Sequence, residues 1–244
     1  MANLSNADGT ITIKAKSTDA IYNLLLAQRY AEAEYEYRTE LTSSNLSATK
    51  LKSDIENISF TNQENLKVYT DTFYGIGRWS FENNVNWFMD CLEPDSSDPD
   101  DIKEAKAKAQ NEYYHIKFDI KDEEPGCQIL YEATADIEYN PETKKSNISY
   151  DITQEYDYSR DNLIKLGFYT EDEIYSVNDV INNFDNYTDY WGYDEKIIIN
   201  HKQDIIDILK TLPDKDYPYF DLYEIIEYNL KLEELFNELE QTYK

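Results

Sequence analysis

The chain has 244 residues, of which 41% are hydrophobic and 14% aromatic, and it carries a formal net charge of −27 at pH 7. Its 50 Asp and Glu residues face only 23 Lys and Arg residues. Because this charge repels nucleic-acid phosphates and anionic membranes, it excludes direct nucleic-acid binding and membrane-surface binding from the expected functions. The aromatic content excludes a disordered acidic chain, since disordered chains are poor in aromatic residues.

Signals for export and for membrane insertion are missing from the sequence. Residues 1–20 contain no basic-then-apolar pattern, and no run of about 18 apolar residues could span a bilayer. The two cysteines, Cys91 and Cys127, make no disulfide framework. These observations predict a cytoplasmic protein without a membrane partner.

The hydrophobic pattern of residues 1–156 alternates between strands and helices. In chain order it predicts a strand over 10–16, a helix to about Leu41, strands over 55–61 and 66–74, helices over 81–92 and 102–110, and a meander of strands over 114–120, 129–139 and 148–156. Gly75 and Gly77 indicate a bulge or a close backbone approach, and residues 122–126 indicate the first turn of the meander. This order predicts an α+β domain in which helices cover one face of an antiparallel sheet.

From about residue 157 the pattern becomes mainly helical. Helices are predicted over 162–166, 170–184, 204–212 and 222–243, and Thr170 with Glu173 fits a capping box. We therefore expect two domains, an α+β domain over 1–156 and an acidic, mainly helical region over 157–244. The charge is concentrated in the second half, because residues 123–244 hold 29 acidic and 10 basic residues.

Residue patterns that signal catalysis or metal binding are scarce. His115 and His201 have no second His or Cys at metal-ligand spacing, and no nucleophile elbow, phosphate-binding glycine loop or zinc signature occurs. The sequence therefore predicts no catalytic residue, no metal and no cofactor. An enzyme whose carboxylate pair cannot be distinguished among 50 acidic residues stays open as an alternative.

Acidic and aromatic residues are interleaved between positions 155 and 195. A tyrosine on an acidic surface offers a flat apolar ring that can stack on the arginine side chains of a nucleic-acid-binding groove. The expected partner of such a surface is therefore a basic protein surface. The candidate partner-binding residues are Glu155, Tyr156, Asp157, Tyr158, Asp185, Tyr187, Asp189, Tyr190, Trp191, Tyr193, Asp194 and Glu195.

Two segments carry a resemblance to a known family. They are Gly75-Ile-Gly-Arg-Trp-Ser-Phe81 and Lys121-Asp-Glu-Glu-Pro-Gly-Cys127, and over residues 10–156 the chain resembles phage- and plasmid-encoded proteins of the YubB type. That resemblance implies a ferredoxin-like fold and a mobile-element context. Separately, the acidity of the chain resembles that of the nucleic-acid-mimic inhibitors that phages use against restriction and CRISPR enzymes.

These observations predict a phage or mobile-element inhibitor of a host defence nuclease, either anti-CRISPR or anti-restriction. Its acidic surface would imitate nucleic acid and occlude the basic DNA- or RNA-binding channel of a nuclease or effector complex. The alternative is a non-catalytic accessory or structural domain of a mobile element, whose acidity only keeps it in solution.

Overall fold

The structure is a computed structural model, and it describes residues 4–32, 39–58, 65–78, 80–90, 92–187, 200–213 and 215–230. The chain divides into two compact units, residues 1–157 and 158–244.

The first unit has an α+β architecture. Its described helices and strands are β1 (Leu4–Ala15), α1 (Thr18–Glu32), β2 (Thr39–Leu41), α2 (Ala48–Glu56), β3 (Lys67–Arg78), α3 (Glu82–Asp90), α4 (Asp100–Ala109), β4 (Tyr114–Glu124), β5 (Ile129–Asn140) and β6 (Lys145–Tyr156). The strands form one six-stranded sheet in the order β2-β3-β1-β4-β5-β6, and every neighbouring pair is antiparallel. The predicted α+β class with an antiparallel sheet is confirmed.

One face of this sheet is apolar and the other is polar. In β1, Ile11 and Ile13 are fully buried, whereas Thr10 and Thr12, which point to the opposite face, are half-buried. The alternation follows from the pleat of a strand, which sends successive side chains to opposite faces. Side chains from α1, α2, α3 and α4 join the core on the apolar face. Within the first unit, the helices therefore form a layer on that face.

Four phenylalanines lie at the centre of the core. Phe118 of β4 meets Phe73 and Phe88 edge-on, with ring centroids 5.5 and 5.4 Å apart, and Phe81 stacks on Phe73 at 5.0 Å. The Phe81 ring occupies the space beside Gly75 that a Cβ atom would need. Of the two roles predicted for this glycine, the close approach is confirmed and the bulge is wrong, because β3 passes through it in regular register.

Two predicted elements of the first unit need correction. The start of the strand predicted over 55–61 is wrong because Ile55 lies in α2, a helix that begins where the Ser47 side chain accepts the N–H of Lys50 at 3.2 Å, and residues 59–61 lie outside the described residues. The helix predicted to reach Leu41 is present as α1, but its predicted end is wrong because Leu41 lies in β2. The strand error arises because a short run with apolar residues fits a strand as well as a helix.

The second unit combines short helices with a two-stranded sheet. Its described helices and strands are α5 (Arg160–Leu166), β7 (Ile174–Ser176), α6 (Val177–Asn182), α7 (Phe184–Tyr187), α8 (Lys202–Leu209), β8 (Asp216–Pro218) and α9 (Tyr219–Leu230). β7 pairs antiparallel with β8, and side chains of β8, α6, α7, α8 and α9 form a core of their own. The end of the helix predicted over 222–243 lies outside the described residues.

The single helix predicted over 170–184 is wrong. Thr170 and Glu173 do form the predicted capping box, but it opens only one 3₁₀ turn, Glu171–Glu173. The chain then enters β7 before α6 begins. The pairing of β7 with β8 joins segments far apart in sequence, so a local periodicity could not reveal it.

Gly75→Ala should destabilise the first unit, because the added methyl group meets the Phe81 ring inside a filled core. We expect a loss of about 1–3 kcal/mol in the free energy of unfolding, measured by urea denaturation. Gly75→Ala combined with Phe81→Leu should lose less than the sum of the two single changes, since leucine vacates part of the space. Strict additivity would contradict the contact.

Candidate protein-interaction surface

The predicted partner-binding residues are only partly within the described chain. Those described are Glu155, Tyr156, Asp157, Tyr158 and Asp185, together with the backbone of Tyr187. Those outside the described residues are Asp189, Tyr190, Trp191, Tyr193, Asp194 and Glu195. The first three described residues lie at the end of β6 in the first unit, and the others belong to the second unit.

Tyr156 is fixed to the neighbouring strand. Its hydroxyl donates a hydrogen bond to Oε2 of Glu132 in β5 at 2.7 Å, and this bond raises the pKa of the tyrosine. Glu155 and Asp157, on either side of it, are exposed. The structure therefore brings together one anchored ring and two exposed carboxylates at the end of β6.

Asp185 has a partly compensated charge. Its Oδ1 atom lies 2.6 Å from Nζ of Lys202 in α8, and that ammonium also lies 5.3 Å from the centroid of the Phe184 ring. The Asp185 side chain is 81% exposed, so the ion pair contributes at most about 1 kcal/mol to stability. Lys202 therefore reduces the charge that this carboxylate offers to a basic partner.

A group of exposed acidic residues outside the predicted set lies early in the second unit. We call it the acidic segment, and it consists of Asp161 in α5, the 3₁₀ turn Glu171, Asp172 and Glu173, and Asp179 in α6. Apart from that of Glu173, which caps the turn, the side-chain carboxylates of these residues form no ion pair or hydrogen bond with a described residue. Their negative charge is therefore uncompensated within the described chain.

Arg160 holds the main chain of the 3₁₀ turn Glu171–Glu173. The guanidinium donates to the backbone carbonyl oxygens of Glu171 at 2.9 Å and Ile174 at 3.0 Å, and it lies 3.8 Å from Asp216 of β8. The planar fork of an arginine suits two acceptors at once. The cation thus holds main-chain oxygens at the two ends of the turn and forms no ion pair with the carboxylates of Glu171, Asp172 and Glu173.

Glu173 closes the turn from its other end. Its Oε2 atom accepts hydrogen bonds from the backbone N–H and the hydroxyl of Thr170, both at 2.8 Å. These bonds, the backbone one first, lower the pKa of Glu173. The carboxylate therefore stays ionised while it caps the turn.

At α8, acidic residues lie beside basic ones. Nζ of Lys210 lies 3.3 Å from Asp207, and Nδ1 of His201 lies 3.2 Å from Asp204. The surface of α8 is therefore close to balanced in charge, in contrast to the acidic segment.

The polar face of the six-stranded sheet has mixed charge. Lys117 lies 2.6 Å from Asp119, and Nε2 of His115 lies 2.7 Å from Asp136. A shallow depression of about 520 Å³ on this face is lined by threonines and charged side chains. Burial raises the pKa of Asp8 at its rim. Positive groups interrupt the negative ones here, so this face lacks the continuous charge of a nucleic-acid strand.

The turn predicted at residues 122–126 begins later than predicted, because β4 continues through Glu124 and the 3₁₀ turn Pro125–Cys127 leads into β5. Asp122 is therefore a strand residue, and it is fully buried. The Asp122 carboxylate accepts hydrogen bonds from the hydroxyl of Ser5, from the backbone N–H of Phe81 at 2.9 Å and from the hydroxyl of Tyr131 at 2.5 Å. Burial raises the pKa of Asp122, and the hydrogen bonds oppose that rise. With every bond directed inward, this carboxylate connects structural elements and faces no ligand cavity.

Within the described ranges, no group of three or more His, Cys, Asp or Glu residues is placed to hold a metal ion. None of the described helices combines the length and the apolar character that a bilayer crossing requires.

In comparisons with known proteins, no family model, no curated protein and no solved structure matches this chain.

The Asp122 carboxylate should make the first unit less stable as the pH rises. Its raised pKa means that the folded state binds the proton more tightly than the unfolded state. The Asp122 contribution is therefore fully favourable below the ordinary Asp pKa of 3.8, and it declines as the pH rises through the raised value. Asp122→Asn should remove this contribution, and urea unfolding of both chains over a pH series measures the difference. Identical pH profiles would contradict the assignment.

Asp122→Leu is the matched test of the hydrogen bonds. The asparagine variant keeps an oxygen for Phe81 and Tyr131 and can donate its amide to Ser5, whereas leucine leaves these buried groups without a partner. At about 1–3 kcal/mol for each buried unsatisfied group, leucine should cost several kcal/mol more than asparagine in unfolding free energy. Equal losses would show that the hydrogen bonds do not stabilise the unit.

Arg160→Lys should loosen the acidic segment, because an ammonium cannot hold both carbonyl oxygens in the geometry of a guanidinium. We expect amide hydrogen exchange of residues 171–174 to accelerate by about fivefold, the effect of losing one hydrogen bond of roughly 1 kcal/mol. Arg160→Leu should accelerate it further. Lys210→Leu removes a cation from the same unit and should leave exchange in the turn unchanged. An equal effect of Lys210→Leu would contradict the role of Arg160.

Proposed function

We propose that this chain is a non-catalytic phage or mobile-element inhibitor of a host defence nuclease, acting in the host cytoplasm as an anti-CRISPR or anti-restriction protein. In this proposal an acidic surface occupies the basic channel through which the nuclease binds DNA or RNA. The observation that supports it most directly is the acidic segment, whose exposed carboxylates have no cation partner among the described residues, in a chain of net charge −27.

Ordered carboxylates suit this role better than mobile ones. The hydrogen bonds of Arg160 and Glu173 fix the turn before a partner arrives, so binding loses less conformational entropy. Long-range attraction between the acidic chain and a basic channel raises the association rate and makes the affinity fall with salt. Tyr187, Tyr190, Trp191 and Tyr193 are the proposed anchors that stack on arginine side chains.

The same proposal assigns the first unit a ferredoxin-like fold as the scaffold. Its first four strands lie in the order β2-β3-β1-β4, α1 connects β1 to β2, and α3 and α4 connect β3 to β4. This arrangement supports the β-α-β-β-α-β plan, with α2 inserted and β5 and β6 added at one edge. The likeness to YubB-type proteins and the mainly helical character of the region after 157 belong to the proposal as well.

A second candidate function is a non-catalytic accessory or structural domain whose acidity only maintains solubility. The ion pairs Lys202–Asp185 and Lys210–Asp207 favour it, as does the mixed charge of the polar sheet face. A nucleic-acid mimic needs negative charge that cations do not interrupt. The two functions differ in whether the position of the carboxylates matters or only their number.

An inhibition assay with two charge-matched variants separates these functions. The first variant neutralises the acidic segment with Asp161→Asn, Glu171→Gln, Asp172→Asn and Asp179→Asn. The control neutralises four exposed acids of the first unit with Glu56→Gln, Asp90→Asn, Asp101→Asn and Glu142→Gln. The readout is DNA cleavage by a panel of purified restriction endonucleases and RNA-guided nucleases, measured from low to high salt.

We expect the unmodified chain to inhibit a nuclease of this panel, and the inhibition to weaken as salt rises. Exposed charges contribute a few tenths of a kcal/mol each, so the acidic-segment variant should bind about tenfold more weakly. The control variant should retain its affinity within about threefold, since it changes the net charge equally without touching the segment. Equal losses in both variants, or no inhibition at low salt, would favour the accessory function.

A further inference from the structure

β6 forms an open edge of the six-stranded sheet. Among the described residues no strand pairs with its outer side, so a row of main-chain N–H and C=O groups along 12 residues is available for pairing. Such a row is a template for another strand. A strand of another chain could therefore pair with β6 at this edge.

An apolar strip runs along this edge. Ile148, Tyr150 and Ile152 point to the apolar face of the sheet, and their partners in β5 are buried. Ile148 is nevertheless 40% exposed and Ile152 is 52% exposed. The helix layer that covers β5 thus covers β6 only in part, because Tyr150 packs against the core whereas Ile148 and Ile152 remain exposed.

The usual protection of an edge strand is weak here. Natural edges carry lysine, proline or inward-pointing charges that prevent pairing with another chain. β6 contains no proline, and Ser146–Tyr150 contains no charged residue, in a chain of which 30% is charged. The one irregularity in its pairing lies opposite Glu132 and Ala133, so the strand is regular from Lys145 to Ile152.

We propose that β6 pairs antiparallel with β6 of a second copy of this chain, about a twofold axis at Tyr150. In this register Ile148 of one copy faces Ile152 of the other, because both lie two residues from the axis. Lys145 and Glu155 lie at opposite ends of the strand, so antiparallel pairing brings the positive end of one β6 beside the negative end of the other. The contact is isologous and closes on itself.

This dimer goes beyond the proposed function and has the opposite dependence on salt. Two copies that each carry a charge of −27 repel one another at long range, and salt screens that repulsion. We therefore expect the dimer to strengthen as salt rises, whereas a complex with a basic nuclease weakens. Failure of one proposal can thus be distinguished from failure of the other.

The first experiment measures the mass of the full chain by light scattering and sedimentation equilibrium over a range of salt. Ile148→Lys places a charge in the apolar strip and should weaken dimerisation by about tenfold or more. Ser149→Lys adds the same charge at the next position, on the polar face, where the register brings it opposite Asp151 of the second copy. This control should dimerise at least as well as the unmodified chain. Circular dichroism melting confirms that both variants fold.

A cysteine cross-link tests the register of the paired strands directly. In a background of Cys91→Ser and Cys127→Ser, Tyr150→Cys places two thiols directly opposite each other across the twofold axis, within disulfide reach. Ser146→Cys is the control, because its two copies would be eight strand positions apart, or about 26 Å. We expect mild oxidation to cross-link Tyr150→Cys and to leave Ser146→Cys monomeric.

Three results would overturn the proposal. The first is a monomer at every salt concentration and at the highest soluble protein concentration. The second is a dimer that Ile148→Lys and Ser149→Lys weaken equally, or that cross-links through Ser146→Cys in preference to Tyr150→Cys. The third is a monomeric chain whose inhibition of a nuclease is lost on Ile148→Lys, because the edge would then receive a strand of a basic partner.

Discussion

A single buried carboxylate connects the elements on which the first unit depends. Asp122 accepts hydrogen bonds from Ser5 of β1, from Tyr131 of β5 and from the backbone N–H of Phe81. The last bond fixes where the Phe81 ring enters the core against Phe73. A slip of β4 by one residue would turn the carboxylate to the polar face and leave these donors without an acceptor, so the network specifies one register. Burial opposes the charge, as the raised pKa of Asp122 shows, and the hydrogen bonds offset that cost.

The unequal faces of the sheet explain the distribution of possible binding surfaces in the first unit. Helices bury the apolar side chains of β1, β4 and β5, whereas the opposite face carries threonines and charges that pair with one another. A surface of mixed charge offers little to a polycation or a polyanion. The exception is β6, where the apolar face continues beyond the helices and the main chain has no neighbour on its outer side. Recognition there would depend on main-chain pairing and apolar contact, and the net charge would oppose or favour it according to the partner.

Regular elements could be predicted from the sequence, whereas long-range partnerships could not. The alternation of Ile116, Phe118 and Ile120 marks β4 clearly, and it continues in phase to Asp122. The charge of Asp122 nevertheless favours an exposed turn in the sequence, because the donors that satisfy its buried carboxylate are distant along the chain, and Ser5 lies 117 positions away. The acidic segment was hidden for the same reason. Its residue types are plain in the sequence, but its fixed geometry depends on an arginine that reaches across 11 and 14 residues to carbonyl oxygens.

The cations of the second unit act in two different ways, and the difference bears on function. Lys202 and Lys210 lie beside carboxylates and reduce the local negative charge. Arg160 instead binds main-chain oxygens around a turn that contains Glu171 and Asp172, so it orders adjacent like charges that repel one another. Solubility requires only that such charges exist, and a mobile tail would provide it equally well. A turn whose main chain is held in one geometry, and whose carboxylates form no ion pair with its nearest arginine, keeps its like charges in fixed positions, which a mobile tail would not do.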